Sequence, residues 1–325
     1  MLVALVLTAC SSGGKSSSAT TAVAPAATTA SASTEASTAP SSSAGATSSS
    51  TAAASTSSTV PAEPVMPLTG LPIQDPAIAA RSALVVKIDN HPDARPQSGL
   101  NQADIVFEEN VEELTRFAAV FQTNTPDPVG PIRSGRTQDV QLLGSLNKPI
   151  FAWSGGNPGV TKAINGSDFI VANVQSNASK ASQSFRSRDR AAPHNLYAEG
   201  SGLFTLSPAV PSPPPLQFKY RAQGADVEGV ASAGAQLAMD GVNVKWQFDP
   251  KTGSYLRFQS GKAHNDAALG QLNAANVVVV VVDYRPSPAD PKSPEAQTTG
   301  SGEAFVFTGN KVVHGTWVRG DRLSP

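Results

Sequence analysis

The stretch 84-LVVKIDNHPDARPQSGLNQADIVFEENVEELTRFAAVFQ-122 contains three apolar segments separated by polar, turn-forming residues. Residues 84–89 predict a buried strand, and residues 103–109 and 116–122 predict two more. Polar residues follow the first strand directly. Because ligands bind at the carboxyl ends of strands in α/β sheets, we expect residues 90–99 to form the rim of a site.

Helical and strand patterns alternate after this stretch. Residues 137–146 carry apolar side chains at helical spacing, with Ser134 as the expected N-cap. Strand patterns at 149–156 and 168–174 flank a short helical pattern at 157–166. This alternation favours a layer of strands covered by helices.

The sequence becomes β-rich after a segment with five prolines, residues 207–218. Prolines exclude this segment from a sheet interior or a helix. Alternating apolar residues predict a hairpin over 242–258, and six consecutive valines at 277–282 predict a strand buried on both faces. Gly309-Asn310 predicts the turn of another hairpin. We therefore expect a mixed α/β (α+β) fold, with a layered N-terminal sheet with helices and a smaller β-rich C-terminal part.

The chain starts with MLVALVLTAC, in which an apolar run precedes Leu7-Thr8-Ala9-Cys10. This pattern is similar to a lipobox, so we expect residues 1–10 to be a lipoprotein signal peptide and Cys10 to carry the lipid. No basic residue precedes the run, so we expect the true start to lie upstream. Cys10 is also the single cysteine of the 325 residues, which excludes a disulfide within the folded part.

Residues 11–66 are almost entirely Ser, Thr, Ala and Pro, a composition that cannot form a core. The expected organisation follows from these boundaries: signal peptide 1–10, tether 11–66, N-terminal α/β domain 67–206, Pro-rich linker 207–217 and C-terminal β-rich domain 218–325. The expected location is extracytoplasmic, on the outer face of a bacterial cell membrane.

The formal net charge is −1, and no basic run is present, so nucleic acid is not an expected partner. The sequence lacks a Gly-x-Ser-x-Gly elbow, a P-loop, a dinucleotide fingerprint and a His-Glu-x-x-His motif. With four histidines and one lipidated cysteine, we expect neither a metal site nor a cofactor. The sequence does not predict the oligomeric state.

Seven motifs in order along the chain resemble the YerB-like lipoproteins, a domain-of-unknown-function family numbered 3048. They are PLTGLP (67–72), KIDNHPDARPQSGLNQADIVFEENVEELTRF (87–117), GPIRSGR (130–136), APHNLY (192–197), HND (264–266), ANVVVV (275–280) and GSGEAFVFTGNKVVHGTW (300–317). The resemblance implies a secreted, lipid-anchored protein with a larger N-terminal and a smaller β-rich C-terminal part, and it implies no established activity. Family members continue past Gly-Thr-Trp with a short β segment, so we expect the last strands to be missing here.

The first candidate site is Arg133, Ser134 and Arg136, at the expected start of a helix. Unpaired N–H groups and two guanidiniums favour an anion such as phosphate or carboxylate. The alternative is that the arginines pair with the carboxylates upstream, and both interpretations can hold together.

The second candidate follows the first strand and consists of Asp89, Asn90, His91 and Arg95. Asp and His together can perform acid–base chemistry. The alternative is a polar turn in which Asp89 or Asn90 caps backbone groups.

The third candidate is a run of carboxylates: Asp104, Glu108, Glu109, Glu112 and Glu113. Such a run can bind a cation or supply an acid and a base, but strand alternation prevents all five from converging. The alternative is a solvated edge with one or two ion pairs. We retain Glu108, Glu109, Glu112 and Arg116, which lie inside the matching motif.

The fourth candidate is His194-Asn195, followed by Tyr197, and a weaker fifth is His264 with Asp266. A lone His is more often structural than catalytic. The preferred hypothesis is a tethered binding lipoprotein whose anionic envelope ligand contacts Arg133, Ser134 and Arg136, with Asn90, Arg95, Arg116 and Asn195 nearby. Enzyme activity is the less favoured hypothesis, an envelope hydrolase using Asp89, Glu108, Glu109 or His194, and the third hypothesis is a structural scaffold.

Overall fold

The computed structural model describes residues 2–8, 64–175, 184–222 and 224–325, and for residues 2–8 it describes the backbone alone. Cys10 and most of the predicted tether lie outside the described residues. Val65 forms a bridge with Pro72, and Met66 is buried, so the folded region begins before Pro67. Residues 64–325 belong to one compact unit.

The chain consists mostly of strands. The helices are α1 (Pro76–Ala80), α2 (Thr137–Leu142), α3 (Pro158–Asn165) and α4 (Gly200–Phe204), with 3-10 turns at Pro92–Ala94, Leu100–Gln102 and Gly144–Leu146. The strands are β1 (Leu2–Thr8), β2 (Leu84–Asp89), β3 (Ile105–Val111), β4 (Leu114–Phe121), β5 (Ile150–Trp153), β6 (Ile170–Asn173), β7 (Ser184–Arg186), β8 (Leu196–Ala198), β9 (Val230–Ala231), β10 (Gly234–Met239), β11 (Val242–Asp249), β12 (Ser254–Gln259), β13 (Lys262–Ala263), β14 (Asn265–Asp266), β15 (Gly270–Gln271), β16 (Asn273–Ala274), β17 (Asn276–Val282), β18 (Tyr284–Ser287), β19 (Asp290–Ala296), β20 (Gly300–Thr308) and β21 (Lys311–Arg319). The predicted α+β class is confirmed.

The main sheet has the strand order β6-β5-β2-β4-β3-β1-β17-β20-β21-β9. Strand β2 pairs antiparallel with β4 and parallel with β5, and β3 and β4 form a hairpin. Strand β1 lies parallel to both β3 and β17. The predicted strand 84–89 is therefore central, and all of its residues are buried because both faces of the sheet are covered.

A second sheet is formed by the predicted hairpin β11–β12 together with β10, β13 and β16. Its alternating burial places Val242, Val244 and Trp246 in the core. The hairpin β20–β21 turns at Gly309 and Asn310, which adopt φ angles of 49° and 58° as predicted.

Three local expectations were wrong. The valine strand β17 is not buried on both faces, because its burial alternates between buried and half-buried residues. The helix predicted over 137–146 is only six residues long, and it continues as the 3-10 turn Gly144–Leu146. Its N-cap is Arg136 rather than Ser134, since the Asp139 carboxylate accepts the Arg136 backbone N–H at 2.6 Å. A helix this short contributes little dipole, so any anion site here depends on side chains.

The Pro-rich segment after α4 is fixed to the N-terminal layer by hydrogen bonds. The backbone N–H of Ser212 donates to Ser82 Oγ at 2.9 Å, and Asn147 Nδ2 donates to the Pro213 carbonyl at 3.0 Å. In the described part of the chain, no helix is long and apolar enough to cross a bilayer.

Candidate functional site

A polar cavity of about 380 Å³ opens beside the carboxyl end of β2. It combines the loop before α2, the loop before α3, and the β18–β19 hairpin. Its lining residues are Glu112, Arg133, Ser134, Arg136, Ser154, Gly156, Asn157, Val160, Gln175, Arg186, Pro193, Asp290 and Ser293. The first candidate of the sequence analysis, Arg133 with Ser134 and Arg136, therefore lies in one cavity wall.

Arg133 is fixed by hydrogen bonds to β2, and its side chain is partly exposed to solvent. Its backbone N–H donates to the Lys87 carbonyl at 2.8 Å, which ties the loop to β2. Its Nε donates to Asp89 Oδ2 at 3.2 Å, and its side chain is 26% exposed. Within the described residues, its two terminal nitrogens make no hydrogen bond, so they are available to a ligand in the cavity.

Arg136 is paired with protein. Its terminal nitrogen NH2 donates to Glu112 Oε2 at 2.6 Å, and NH1 donates to the Gly135 carbonyl at 3.0 Å. The second oxygen of Glu112 accepts from the Ser293 hydroxyl on β19. These bonds lower the pKa of Glu112 against the opposing effect of partial burial. The pairing alternative of the sequence analysis therefore applies to Arg136.

A third guanidinium lies behind the first two. Arg116 on β4 is buried and donates to the Ser134 carbonyl at 3.1 Å. Burial lowers its pKa most, and the positive charges of Arg136 and Arg133 lower it further. The three arginines thus repel one another, and an anion in front of them would relieve that repulsion.

Asp89 joins two of the candidate sites. Its Oδ2 accepts from both Arg133 Nε and His194 Nδ1, the latter at 2.7 Å. Its Oδ1 accepts the backbone N–H of His91 at 3.0 Å, so the turn alternative for Asp89 also applies. The rings of His91 and His194 stack with centroids 4.3 Å apart. Asp89 and the two histidines lie next to Arg133, outside the lining of the cavity.

Glu109 does not reach the cavity. Its Oε1 lies 2.5 Å from Lys87 Nζ, its Oε2 accepts from Gln138 at 2.6 Å, and Asp139 shares the same ammonium at 2.6 Å. Burial raises the pKa of Glu109 to about 7, with the charge of Asp139 adding to the shift and Lys87 opposing it. This cluster lies beneath α2 and is closed to solvent.

Glu108 points into a different buried network, between β3 and the second sheet. Its Oε1 accepts from Arg257 at 2.7 Å and from Thr115 at 2.8 Å. Asn90 extends this network through Thr115 and Gln259. Burial lowers the pKa of Arg95. The positive charge of Arg257 nearby lowers it further, whereas the negative charge of Glu108 opposes the shift.

The remaining candidates act locally. Asn195 uses its amide to hold its own loop, accepting from Arg186 at 2.8 Å and donating to two backbone carbonyls. His264 contacts Arg257 and Gln97, and burial with the nearby arginines lowers its pKa well below the usual value. Asp266 caps the N–H groups of residues 268 and 269, so it does not form a pair with His264.

The other carboxylates and Tyr197 also have local contacts. Asp104 accepts the backbone N–H groups of Gln122 and Thr123, and Glu113 lies in the exposed β3–β4 turn with a φ of 60°. Tyr197 stacks against Phe185. As alternation predicted, the five carboxylates do not converge.

Sequence reasoning missed several residues of these sites. Lys87 is the one charged residue of the run 84–88, and a charge between buried apolar residues predicts a buried partner. No sequence pattern singles out Asp93 or Arg186 as a site residue. Ser154 and Asn157 enter the cavity from the loop before α3, and Asp290 and Ser293 enter it from β19; no local pattern predicts that these segments meet the loop of Arg133.

Two family models match most of the folded region. Residues 68–208 match the N-terminal domain and residues 235–325 the C-terminal domain of the family described as "Protein of unknown function (DUF3048)". The chain is 29% identical over 280 residues to "Putative lipoprotein YerB" of Bacillus subtilis (strain 168), covering 77% of each protein. A crystal structure of YerB protein from Bacillus subtilis matches with a TM-score of 0.66 and 26% identity, over 79% of this chain and 87% of that one. The chain therefore belongs to the DUF3048 family and has its fold.

Proposed function

We propose that this protein is a membrane-tethered extracytoplasmic lipoprotein that binds an anionic cell-envelope ligand in the cavity beside β2. The observation that carries the proposal is Arg133. Its guanidinium is positioned by Asp89 through Nε, its side chain lines the cavity, and its terminal nitrogens make no hydrogen bond among the described residues. A fixed guanidinium with two free donors fits the paired oxygens of a phosphate or carboxylate.

The charge balance supports an anion. Arg133, Arg136 and Arg186 line the cavity, with Arg116 behind them. They face two lining carboxylates, Glu112 and Asp290, and the carboxylate of Asp89 behind Arg133, so the positive charges outnumber the negative ones. The attraction between a fully exposed arginine and an anion is weak in water. These arginines line a partly enclosed space, where the attraction between a guanidinium and an anion is stronger. The cavity therefore favours negative charge near Arg133.

The uncharged lining supports a ligand that carries hydroxyl or amide groups as well. Ser134, Ser154, Asn157 and Gln175 supply donors and acceptors around the arginines. The volume of about 380 Å³ lies at the small end of ligand sites. A phosphorylated or carboxylated sugar unit fits both features.

Calorimetry on the purified full chain tests this proposal, with inorganic phosphate and glucose 6-phosphate as probes. We expect saturable binding that Arg133→Ala weakens at least tenfold, since a charge-assisted pair is lost. Arg285→Ala, an exposed arginine outside the cavity, is the matched control and should leave binding unchanged. Equal loss in both variants, or no binding of either probe to the wild-type protein, would contradict the proposal.

The lipid anchor rests on the Leu7-Thr8-Ala9-Cys10 pattern and on the lipoprotein description of the Bacillus subtilis relative. We expect Cys10→Ala to release the protein from the membrane fraction. Cleavage before Cys10 would also remove β1, leaving β3 and β17 without that neighbour. Mass spectrometry of the membrane-bound protein tests cleavage before Cys10. Retention of residues 2–8 would contradict the lipid anchor.

One observation favours the enzyme alternative, the contact between Asp89 and His194. A carboxylate on Nδ1 orients an imidazole as a general base. Under this alternative, the protein would release fragments from cell-wall material, and His194→Ala would abolish release while Arg285→Ala would not. Glu108 and Glu109 are less suitable as catalytic groups, because both are buried and paired.

A further inference from the structure

Three side chains with metal-binding atoms meet beside the cavity without lining it. His91 and Asp93 come from the loop after β2, and His194 comes from the loop before β8. One ligand atom of each lies within 4.8 Å of the others. We propose that His91, Asp93 and His194 form a binding site for a divalent transition metal of the Zn²⁺ class, although the sequence predicted no metal site.

The first two ligands have the spacing that a tetrahedral ion requires. His91 Nδ1 lies 3.6 Å from Asp93 Oδ2. Two atoms bound to one tetrahedral ion at zinc's usual bond lengths are separated by about 3.4 Å. His91 Nδ1 accepts the backbone N–H of Asp93 at 3.2 Å, so a metal bound at this nitrogen would replace that hydrogen bond. A ring nitrogen of His91 and a carboxylate oxygen of Asp93 therefore lie near the separation that one ion requires.

Asp89 orients the third ligand, His194. The Asp89 carboxylate accepts from His194 Nδ1 at 2.7 Å, which fixes the proton on that nitrogen and leaves the lone pair on Nε2. Metal-binding histidines have this arrangement in proteins, because a carboxylate on the second nitrogen orients the ring and makes it more basic. Asp89 itself is held by Arg133 and by the His91 backbone, so it is a rigid support.

The site is accessible. The side chains of His91 and Asp93 are 36% and 74% exposed, and that of His194 is 14% exposed. The two rings are stacked at 14° with their centroids 4.3 Å apart, and a metal lies close to the plane of each imidazole that binds it, so binding to both rings requires one ring to turn. His91 is the ring that can turn, because it is partly in solvent whereas His194 is tied to Asp89.

The ligand set determines the class of metal. Two imidazoles and one carboxylate suit Zn²⁺ or Co²⁺, whereas Mg²⁺ and Ca²⁺ prefer oxygen ligands. Three protein ligands leave a fourth position for water, as in open zinc sites. None of the three lines the cavity, so the metal site and the anion site can be tested separately.

The test is competition for Zn²⁺ between a chromophoric chelator and the purified full chain, together with the visible spectrum of Co²⁺. We expect one Zn²⁺ per chain and an intense Co²⁺ band typical of tetrahedral coordination. His91→Ala combined with His194→Ala should abolish both. Asp93→Asn should weaken Zn²⁺ binding at least tenfold, and Asp89→Asn should weaken it about 10- to 100-fold by removing the support of His194.

His314→Ala is the matched control, since His314 is exposed and pairs with Glu303 at 2.8 Å elsewhere on the surface. It should leave the affinity unchanged. If a substitution at His194 prevents folding, as judged by thermal unfolding without metal, His91→Ala alone decides, because His91 is more exposed. The proposal is overturned if the wild-type chain binds no stoichiometric Zn²⁺, or if His91→Ala or the double variant retains wild-type affinity.

Discussion

Lys87 Nζ lies 2.5 Å from Glu109 Oε1, and both side chains are closed to solvent. Asp139 Oδ1 is 2.6 Å from the same ammonium, so one positive charge serves two carboxylates. Burying two negative charges against one positive charge is costly, and the raised pKa of Glu109, about 7, reflects that cost. The cluster ties β2, β3 and α2 together beneath the wall that carries Arg136.

The first prediction concerns pH. The pKa of Glu109 is about 7 in the folded protein and near 4.5 in the unfolded chain, so between these values the folded state binds more protons. Its contribution to the free energy of unfolding is therefore full below pH 4.5 and is lost as the pH rises through 7. We expect urea unfolding to show that decline in the wild-type protein, and Glu109→Gln to lack it. Parallel pH profiles for the two proteins would refute the assignment.

The second prediction concerns Lys87. Lys87→Met leaves Glu109 and Asp139 facing each other without a cation, which should lower the free energy of unfolding by about 3–5 kcal/mol. The loss should be smaller at pH 5 than at pH 8, because protonation of Glu109 removes one of the charges. Lys292→Met, on the exposed hairpin, serves as control and should change little. A pH-independent loss would show that packing, not charge, is responsible.

The third prediction concerns the buried pair between β3 and the second sheet. Arg257 NH2 lies 2.7 Å from Glu108 Oε1, with side-chain exposures of 1% and 0%. Arg257→Met should lower the free energy of unfolding by about 3–5 kcal/mol, since Glu108 is left buried without its cation. Adding Glu108→Gln should recover at least about 1 kcal/mol of that loss, measured by a double-mutant cycle in urea. Additive losses would mean that the two groups do not interact.

The fourth prediction concerns Glu112, which competes with any anion for Arg136 at a distance of 2.6 Å. Glu112→Gln removes that competing charge, so we expect phosphate to bind several-fold more tightly. Glu303→Gln, an exposed glutamate paired with His314, is the control and should leave the affinity unchanged. Weaker phosphate binding in Glu112→Gln would instead assign Glu112 the role of orienting Arg136 for the ligand.

Much of the fold followed from local pattern. Residues 84–89 form a strand with the predicted bounds, and residues 158–165 form the predicted helix with Gly166 after it. These predictions held because alternating and helical spacing act within one element. The prediction failed at 137–146, where the α-helix ends at Leu142 and a 3-10 turn follows, and at β17, whose outer face is only half buried.

The candidate site was predictable only in part. Arg133 and Arg136 stand out as two cations beside a Gly-Pro turn, and His91 and His194 stand out as rare residue types. Their partners do not, because Asp and Ser are common in loops and nothing in the sequence relates residue 112 to residue 293 or residue 89 to residue 194. The spacing of charged residues along the sequence does not show which charged side chains pair with each other across a sheet.

The sequence by itself determined the strand 84–89, the hairpin over 242–258, the turn at Gly309-Asn310 and the family, since these depend on neighbouring side chains and on motif order. Only the tertiary structure decided which charges are paired and which is available. Lys87 meets Asp139 across 52 positions of the chain and Glu108 meets Arg257 across 149, so only the packing of α2 and of the second sheet against the main sheet brings them together. For the same reason, both terminal nitrogens of Arg136 donate to Glu112 and Gly135, whereas Arg133 pairs with Asp89 through Nε and its terminal nitrogens make no hydrogen bond among the described residues.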